Sequence, residues 1–364
     1  MTPTDAPVLV TIAINNYNYA RFVGDAIHSA LAQSWRWLEV VVVDDGSTDD
    51  SWSVIQRYGT RLHAIRQANA GQGSAYNAGF AASRGEWVLF LDADDLLDAD
   101  AIERMMALAQ PGVAKVQGPL RRVAVDGTPL GGAVPYLVHD GDVTPIARLF
   151  RQYASPPASG NLFRRSAIEP YLPLPPRRWR YGADTVPILL SAFHGRVATT
   201  REPIGRYRLH SVANAQSGLF GNVGRTLAGT LLQAESRRDA AETWGTRCSG
   251  ITWPIERPGL PWDWRTRALS WRLKPDEHPY PGDTRRVIWR GLNRSLALWP
   301  GYSTLERLAL RGWVGGLLLT PRRWIGAFVT LNLSGGLRAR LRQLQAQATA
   351  RDVASQALPT ERSP

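Results

Sequence analysis

The sequence predicts an α/β protein in which a parallel sheet carries a ligand site at the carboxyl ends of its strands. Apolar strand runs and helical repeats alternate four times between residues 8 and 95. Two of the runs end in carboxylates, at residues 44–45 and 92–95. Because the carboxyl ends of parallel strands lie at one edge of the sheet, both acidic ends are expected to face one cleft.

The elements before residue 95 follow from the spacing of apolar residues. Residues 71–73, Gly-Gln-Gly, are typical either of a tight turn or of a loop whose backbone approaches phosphate. Strand runs occupy residues 8–14, 38–44, 62–65 and 86–91, and helical spacing occurs at 22–31, 51–55 and 74–83.

The strand run at residues 86–91 ends directly in Asp92 and Asp94. Burying a charge costs several kcal/mol unless it is paired or metal-bound, so these carboxylates are expected at the edge of the cleft. Hard oxygen ligands there suit Mg²⁺ or Mn²⁺. The alternative is a solvated turn that caps the following helix, since Asp100 and Glu103 fit a capping box.

Composition indicates a globular protein of two or three domains. The 364 residues are 44% apolar and 20% charged, and the single cysteine, Cys248, excludes an intrachain disulfide framework and a cysteine-rich zinc site. The first residues lack the pattern of a signal peptide, and no run of 18 apolar residues occurs. The net charge of +12 arises mainly after residue 254, where 18 basic residues face 8 acidic ones, so a nucleic-acid partner is not expected.

Four motifs in order resemble family 2 glycosyltransferases, which are inverting enzymes of the GT-A fold. They cover residues 10–18 (ending Tyr17-Asn18), 42–49 (Val-Val-Asp-Asp-Gly-Ser-Thr-Asp), 69–79 (Asn-x-Gly through Asn-x-Gly) and 91–95 (Leu-Asp-Ala-Asp-Asp). The resemblance extends over about residues 8–215. It implies an α/β GT-A fold, a Rossmann-like nucleotide-sugar-binding sheet, with a helical, basic C-terminal extension.

The same resemblance assigns the site residues. Asp184, before an apolar helix, matches the family's general base; an N-cap role is the alternative, and the two roles are compatible. The Asp92-x-Asp94 motif would hold the ribose and the Mg²⁺ or Mn²⁺ ion, and His210 in the closing Tyr-Arg-x-His motif would approach that metal. Gly160 and Asn161 would bind the acceptor. The nucleotide-sugar set is Asn15, Tyr17, Asp44, Asp45, Gly73, Asn77, Asp92 and Ala93.

Three positions depart from the family pattern. Asn15 replaces a proline, Tyr76 replaces a basic residue and Ala183 replaces the glutamate of the usual Glu-Asp pair. These departures leave open a catalytically silent sugar-binding scaffold.

The second half of the chain is predicted in less detail. Residues 114–117 and 121–125 with the turn at 126–127 favour a hairpin, and residues 158–165 resemble the family's acceptor-side strand. We expect domains at residues 1–112 (nucleotide-sugar half), 113–216 (acceptor half) and 217–364 (C-terminal extension).

The C-terminal extension combines arginine and tryptophan. A helix is predicted from about residue 227 to 240, then a proline-rich stretch with little regularity, then a helix from residue 285. Apolar segments at 313–319 and 324–329 are too short to span a bilayer but fit the headgroup interface of an anionic membrane. The alternative is an ordinary helical subdomain packed on the catalytic core.

Together these patterns predict an inverting, metal-dependent glycosyltransferase. Its donor would be a nucleotide sugar, and the family resemblance implies a UDP-linked one. Its acceptor would be a saccharide or a lipid-linked group, as in envelope polysaccharide assembly. The expected location is the cytoplasm or the inner face of the cell membrane. A nucleotidyltransferase is the rival enzyme class.

Overall fold

A seven-stranded sheet and a four-stranded sheet organise residues 8–210, which the computed structural model describes together with residues 226–333. The strands are β1 (Val10–Asn16), β2 (Leu38–Asp44), β3 (His63–Arg66), β4 (Trp87–Asp92), β5 (Leu96–Leu97), β6 (Val113–Gln117), β7 (Leu120–Ala124), β8 (Pro129–Val134), β9 (Asn161–Arg164), β10 (Arg196–Thr199) and β11 (Gly205–Leu209).

Helices cover the sheets and form the C-terminal extension. They are α1 (Ala20–Leu31), α2 (Ser51–Gln56), α3 (Gln72–Ala82), α4 (Ala101–Met106), α5 (Thr144–Phe150), α6 (Arg165–Ile168), α7 (Thr185–Ser191), α8 (Leu227–Ser249), α9 (Pro261–Leu273), α10 (Arg285–Leu298), α11 (Thr304–Leu319) and α12 (Ile325–Leu333).

The predicted parallel sheet is confirmed for the first four strands. The large sheet has the order β10-β6-β9-β4-β1-β2-β3, with β1 parallel to both β2 and β4. Its register places Asn15 opposite Asp92 and Asn16 opposite Asp44. The two acidic strand ends therefore meet at one edge, as the sequence predicts.

Continuous apolar runs form these strands because helices cover both faces of the sheet. The interior residues of β1, β2 and β4 are buried. Helix α1 packs on one face through Val23, Ala26, Ile27 and Ala30, which recur at helical spacing.

The two predicted halves of the catalytic region share this sheet. Strand β9, in the segment expected at residues 158–165, lies between β4 and β6 and is antiparallel to both. Strands β6 and β10 then extend the sheet in parallel. The boundary expected after residue 112 is thus crossed by strand pairing.

The smaller sheet, β5-β11-β7-β8, delivers the end of the catalytic region to the acidic edge. The predicted hairpin is present as β7 and β8, joined through the turn at 126–127, whereas residues 114–117 belong to the large sheet. Strand β11 pairs parallel to β7 and antiparallel to β5, which follows Asp92 by four residues. This pairing returns Arg208 and His210 to the acidic cluster.

The predicted capping box at Asp100 and Glu103 is wrong. Asp100 occupies the N-cap of α4 but makes no capping bond and instead pairs with Arg104 at 2.9 Å. Glu103 accepts a hydrogen bond from Ser34 Oγ, because α1 ends beside α4.

Helices α9 to α12 form a helical subdomain with its own core. The absence of regular structure expected near residues 254–284 is wrong, because Pro261 begins helix α9 at a position where a missing N–H costs nothing. The segments 313–319 and 324–329 contribute Val314, Leu317, Leu318 and Ile325 to this core, as the subdomain alternative predicts for these four residues. Among the described helices, none is both long and apolar enough to cross a membrane.

Some predictions concern residues outside the described ranges. They are the part of the family resemblance that extends from residue 211 to about residue 215, and the part of the C-terminal extension after residue 333.

Candidate active site

The ends of β1 and β4 are joined by a side-chain hydrogen bond. Asn15 Nδ2 donates to Asp92 Oδ1 at 2.9 Å, as the strand register requires. Within the described part of the chain, the buried Asn15 Oδ1 has no hydrogen-bond partner. Asn15 thus replaces the family's proline with an amide that orients Asp92.

Asp92 is a carboxylate with a strongly perturbed affinity for protons. Burial, followed by the negative charge of Asp94, raises the pKa of Asp92 to about 7. The charge of Asp184 raises it too, whereas hydrogen bonds from Asn15 and Gln72 lower it. Asp92, Asp94 and Asp184 therefore share one electrostatic environment, although Asp184 lies far away in sequence.

Asp95 anchors the turn that carries this acidic cluster. It is buried and accepts hydrogen bonds from Ser159 Oγ at 2.6 Å and from the Arg208 amide at 3.0 Å. Ser159 Oγ is also 3.1 Å from the Asp92 amide. Burial, together with the charges of Asp94 and Asp92, raises the pKa of Asp95 well above its usual value.

The structure brings the two predicted metal ligands together. Asp94 Oδ2 lies 2.6 Å from His210 Nε2, and the imidazole packs against the rings of Tyr19 and Phe22. Arg208 Nε donates to the Asp94 carbonyl at 2.9 Å, which fixes the turn. The carboxylate oxygen suits Mg²⁺ or Mn²⁺, and the imidazole nitrogen favours the transition metal Mn²⁺ over Mg²⁺. Residues 8–210 and 226–333 contain no group of three protein ligands.

Asp184 precedes helix α7 at the N-cap position. Asp184 therefore occupies the N-cap position that the capping alternative predicts, but its side chain makes no capping hydrogen bond. Burial raises the pKa of Asp184, while the positive charge of Arg237 on α8 lowers it. This half-buried carboxylate is thereby a stronger proton acceptor than an exposed aspartate.

Gln72 connects the Asp92 side of the site with the Asp184 side. Its Oε1 accepts a hydrogen bond of 2.9 Å from the Ala183 amide, and its side chain also hydrogen-bonds Asp92. The backbone amide of Gln72 donates a hydrogen bond to the Arg180 carbonyl oxygen at 3.0 Å. Gln72 is not among the residues that the motifs predict, although the two glycines that flank it are a visible signal in the sequence.

Those glycines admit another backbone segment rather than phosphate. A Cβ on Gly71 would lie 2.7 Å from Arg180 Cα, and one on Gly73 would lie 2.7 Å from the Trp179 carbonyl oxygen. The Gly73 amide donates to that same oxygen at 2.8 Å. Gly73 thus has a structural role in packing the loop that leads to Asp184, and the nucleotide contact expected from it stays a prediction.

Asp44 is a buried support for the end of β2. It accepts a hydrogen bond from Asn16 Nδ2 at 2.8 Å and lies 3.4 Å from Arg66 Nε. Ser47 Oγ donates to the same carboxylate.

Asp45 ties the loop before α3 to the sheet. Its oxygens accept hydrogen bonds from Gln67 Nε2 at 2.6 Å and from the amides of Ala70 and Gly71 at 3.0 and 2.7 Å. Asn69 Nδ2 lies 3.2 Å from the same carboxylate. Nucleoside binding by Asp44 and Asp45 stays a prediction beside these structural roles.

Three predicted binding residues are committed to internal contacts instead. Asn77 donates to the Leu174 carbonyl at 2.8 Å and accepts from the Leu174 amide at 2.6 Å. Asn161 is fully buried and accepts from Lys115 Nζ at 2.9 Å. Gly160 is buried with no room for a Cβ beside Pro156. Ligand binding by Asn77, Gly160 and Asn161 stays a prediction beside these packing roles.

The remaining site residues differ in accessibility. Tyr17 is 45% exposed at the end of β1, whereas Ala93 is buried between Asp92 and Asp94. Tyr76 stacks on Phe90 with ring centroids 4.1 Å apart. Its hydroxyl is buried and has no partner in the described ranges, and burial raises the pKa of Tyr76 well above its usual value.

Comparisons with known proteins agree with this geometry. A model described as "Glycosyl transferase family 2" matches residues 11–172. An uncharacterized glycosyltransferase of Nostoc sp. (strain PCC 7120) is 38% identical over 218 residues, 57% of this chain and 67% of that protein. The succinoglycan biosynthesis protein ExoO of Rhizobium meliloti is 39% identical over 125 residues, which is 33% of this chain and 36% of ExoO.

A solved structure shares the fold at low sequence identity. It is residues 1–349 of Staphylococcus aureus TarS in complex with UDP-GlcNAc, with a TM-score of 0.50 and 14% identity. The superposition covers 85% of this chain and 87% of the TarS fragment.

Proposed function

This chain belongs to glycosyltransferase family 2, and from that premise we propose that it transfers a sugar, with inversion, from a nucleoside diphosphate donor to an acceptor hydroxyl. A UDP-linked donor agrees with the UDP-GlcNAc bound in the TarS structure, although that structure shows only the shared fold. A saccharide acceptor agrees with the name of ExoO, a polysaccharide biosynthesis protein. The observation that carries the proposal is the shared environment of Asp92, Asp94 and Asp184.

Asp184 is the proposed general base. As the acceptor oxygen forms its bond to C1 of the sugar, the bond from C1 to the diphosphate breaks, and the hydroxyl proton passes to a carboxylate oxygen of Asp184. The raised pKa of Asp184 favours this proton transfer. Attack from the side opposite the diphosphate inverts the configuration at C1.

The proposed donor side consists of Asp92, Asp94 and His210. Asp92 would hold the ribose, held in place itself by Asn15 and Gln72. Asp94 and His210 would hold Mg²⁺ or Mn²⁺, which supplies positive charge to the departing diphosphate. Two protein ligands leave coordination positions for phosphate oxygens, as these ions usually require.

The test is release of nucleoside diphosphate from a panel of nucleotide sugars by purified protein with Mn²⁺. Wild type is expected to release it from at least one donor, and Asp184→Asn to lower transfer by about 10²- to 10⁴-fold. Asp50→Asn, an exposed aspartate with no capping bond, is the matched control. Equal rates in wild type and Asp184→Asn would remove Asp184 as the base, and silence with every donor and added lipid extract would favour a sugar-binding scaffold.

A further inference from the structure

Helix α11 exposes an apolar stripe opposite its buried one. Val314 and Leu317 face the subdomain core. On the other side Leu305 is 47% exposed, Leu308 56% and Leu319 74%. Three large aliphatic side chains on the solvent face of one helix exceed what a water-facing surface requires.

Trp289 extends this stripe, and a second exposed tryptophan, Trp324, follows α11 in the sequence. Trp289 of α10 is 39% exposed, and a Cβ on Gly315 would lie 3.3 Å from its ring, so the indole lies against α11. Trp324, five residues after Leu319, is 57% exposed. We use the name C-terminal apolar face for the set of five exposed residues Trp289, Leu305, Leu308, Leu319 and Trp324.

The surroundings of this face are strongly basic. Residues 285–329 contain eight arginines and one acidic residue, Glu306. Glu306 is engaged in the capping box that Ser303 forms at the start of α11. The exposed arginines of this region are Arg285, Arg286, Arg290, Arg294, Arg322 and Arg323.

We propose that the C-terminal apolar face docks the protein on an anionic lipid surface, without spanning it. Leucine and tryptophan side chains enter the boundary between headgroups and acyl chains, and arginines meet the negative headgroups. This chemistry separates a bilayer from nucleic acid, which would use the arginines but not the exposed leucines. The inference is independent of the proposed transfer reaction.

The structure changes which residues are expected to touch lipid. The sequence pattern pointed to the apolar segments 313–319 and 324–329, but most of their apolar side chains form the subdomain core. Only Leu319 and Trp324 of those segments belong to the exposed face, which also includes Leu305 and Leu308, upstream of the segments, and Trp289 of the neighbouring helix. Arg311 Nε donates to Asn293 Oδ1 at 2.7 Å and links α10 to α11.

The test is flotation of the full chain with phosphatidylcholine vesicles and with vesicles containing 30% phosphatidylglycerol. Wild type is expected to float with the anionic vesicles and far less with the neutral ones. The triple variant Leu305→Ser, Leu308→Ser, Leu319→Ser should lower the partition coefficient at least tenfold. Arg286→Gln with Arg290→Gln should lower it about 25-fold, because each arginine near an anionic surface contributes about a fivefold factor.

A matched control separates docking from folding. Leu232→Ser changes a leucine of α8 that is 50% exposed but lies outside this face, and it should leave flotation unchanged. Thermal unfolding should give the same midpoint for all variants. Flotation that is equal in wild type and the triple variant would overturn the proposal. So would binding of duplex DNA in place of vesicles, or a dimer that the leucine substitutions dissociate.

Discussion

Gln72 and Ala183, 111 positions apart in the chain, are joined by a hydrogen bond of 2.9 Å from the Ala183 amide to Gln72 Oε1. The same side chain also hydrogen-bonds Asp92. The side-chain amide of Gln72 thus sets the position of the Asp92 carboxylate relative to the segment that carries Asp184. Ala183, where the family usually has glutamate, contributes only its backbone to this link.

Gln72→Met is therefore expected to slow sugar transfer by about 10- to 100-fold, since a displacement of about 1 Å at a catalytic group has an effect of that size. The loss should fall on kcat more than on KM for the donor. Steady-state kinetics measures both, with Gln110→Met, an exposed glutamine, as control. A fall in stability with unchanged kcat would show that Gln72 is only structural.

The pH dependence of transfer should report Asp184. A general base acts in its deprotonated form, and burial raises the pKa of Asp184, so activity should fall with decreasing pH at a higher pH than an exposed aspartate would cause. The acidic limb of kcat against pH measures this. An acidic limb that Asp184→Asn leaves in place would assign the titration to another group.

Deprotonation of Asp184, which activity requires, should lower the free energy of unfolding. Because the folded-state pKa of Asp184 is raised, its stabilising contribution is present below the unfolded pKa and is lost as pH rises through the folded pKa. Asp184→Asn should therefore increase the free energy of unfolding at pH 7 relative to wild type, and the increase should shrink toward pH 3. Urea unfolding at the two pH values gives the comparison.

If Asp94 and His210 hold a metal ion, release of nucleoside diphosphate should depend on that ion. A chelator should abolish release of nucleoside diphosphate, and added Mn²⁺ should restore it. His210→Ala should raise the Mn²⁺ concentration for half-maximal activity at least about tenfold. His28→Ala, an exposed histidine of α1, is the control, and full activity in the chelator would contradict the prediction.

Lys115 stabilises the segment before β9. Its buried ammonium donates to Gln117 Oε1 at 2.8 Å, Ser155 Oγ at 2.8 Å and Asn161 Oδ1 at 2.9 Å. Lys115→Met leaves these groups without their donor and should lower the free energy of unfolding by about 3 kcal/mol. Lys274→Met, at the chain's other lysine and 64% exposed, should change it by less than about 0.5 kcal/mol, as urea unfolding would show.

The sheet and its acidic edge were predictable because their signals are local. A continuous apolar run such as residues 40–43 requires burial on both faces, and a carboxylate directly after it must lie at the strand end. The antiparallel insertion of β9 was not predictable, since strand order depends on pairings between residues more than 70 positions apart.

The sequence by itself determined the family, the sheet edge where Asp92 and Asp94 lie, and the candidate base Asp184. Only the tertiary structure decided which polar residues remain available for ligands. Asn77 and Asn161 match binding positions by pattern, but their side-chain amides are hydrogen-bonded to the Leu174 carbonyl and to Lys115, respectively. Gln72, which no motif identifies, hydrogen-bonds both Asp92 and the Ala183 amide. The physical reason is that a buried polar group must find a partner, and the fold, not the motif, determines which partners lie within reach.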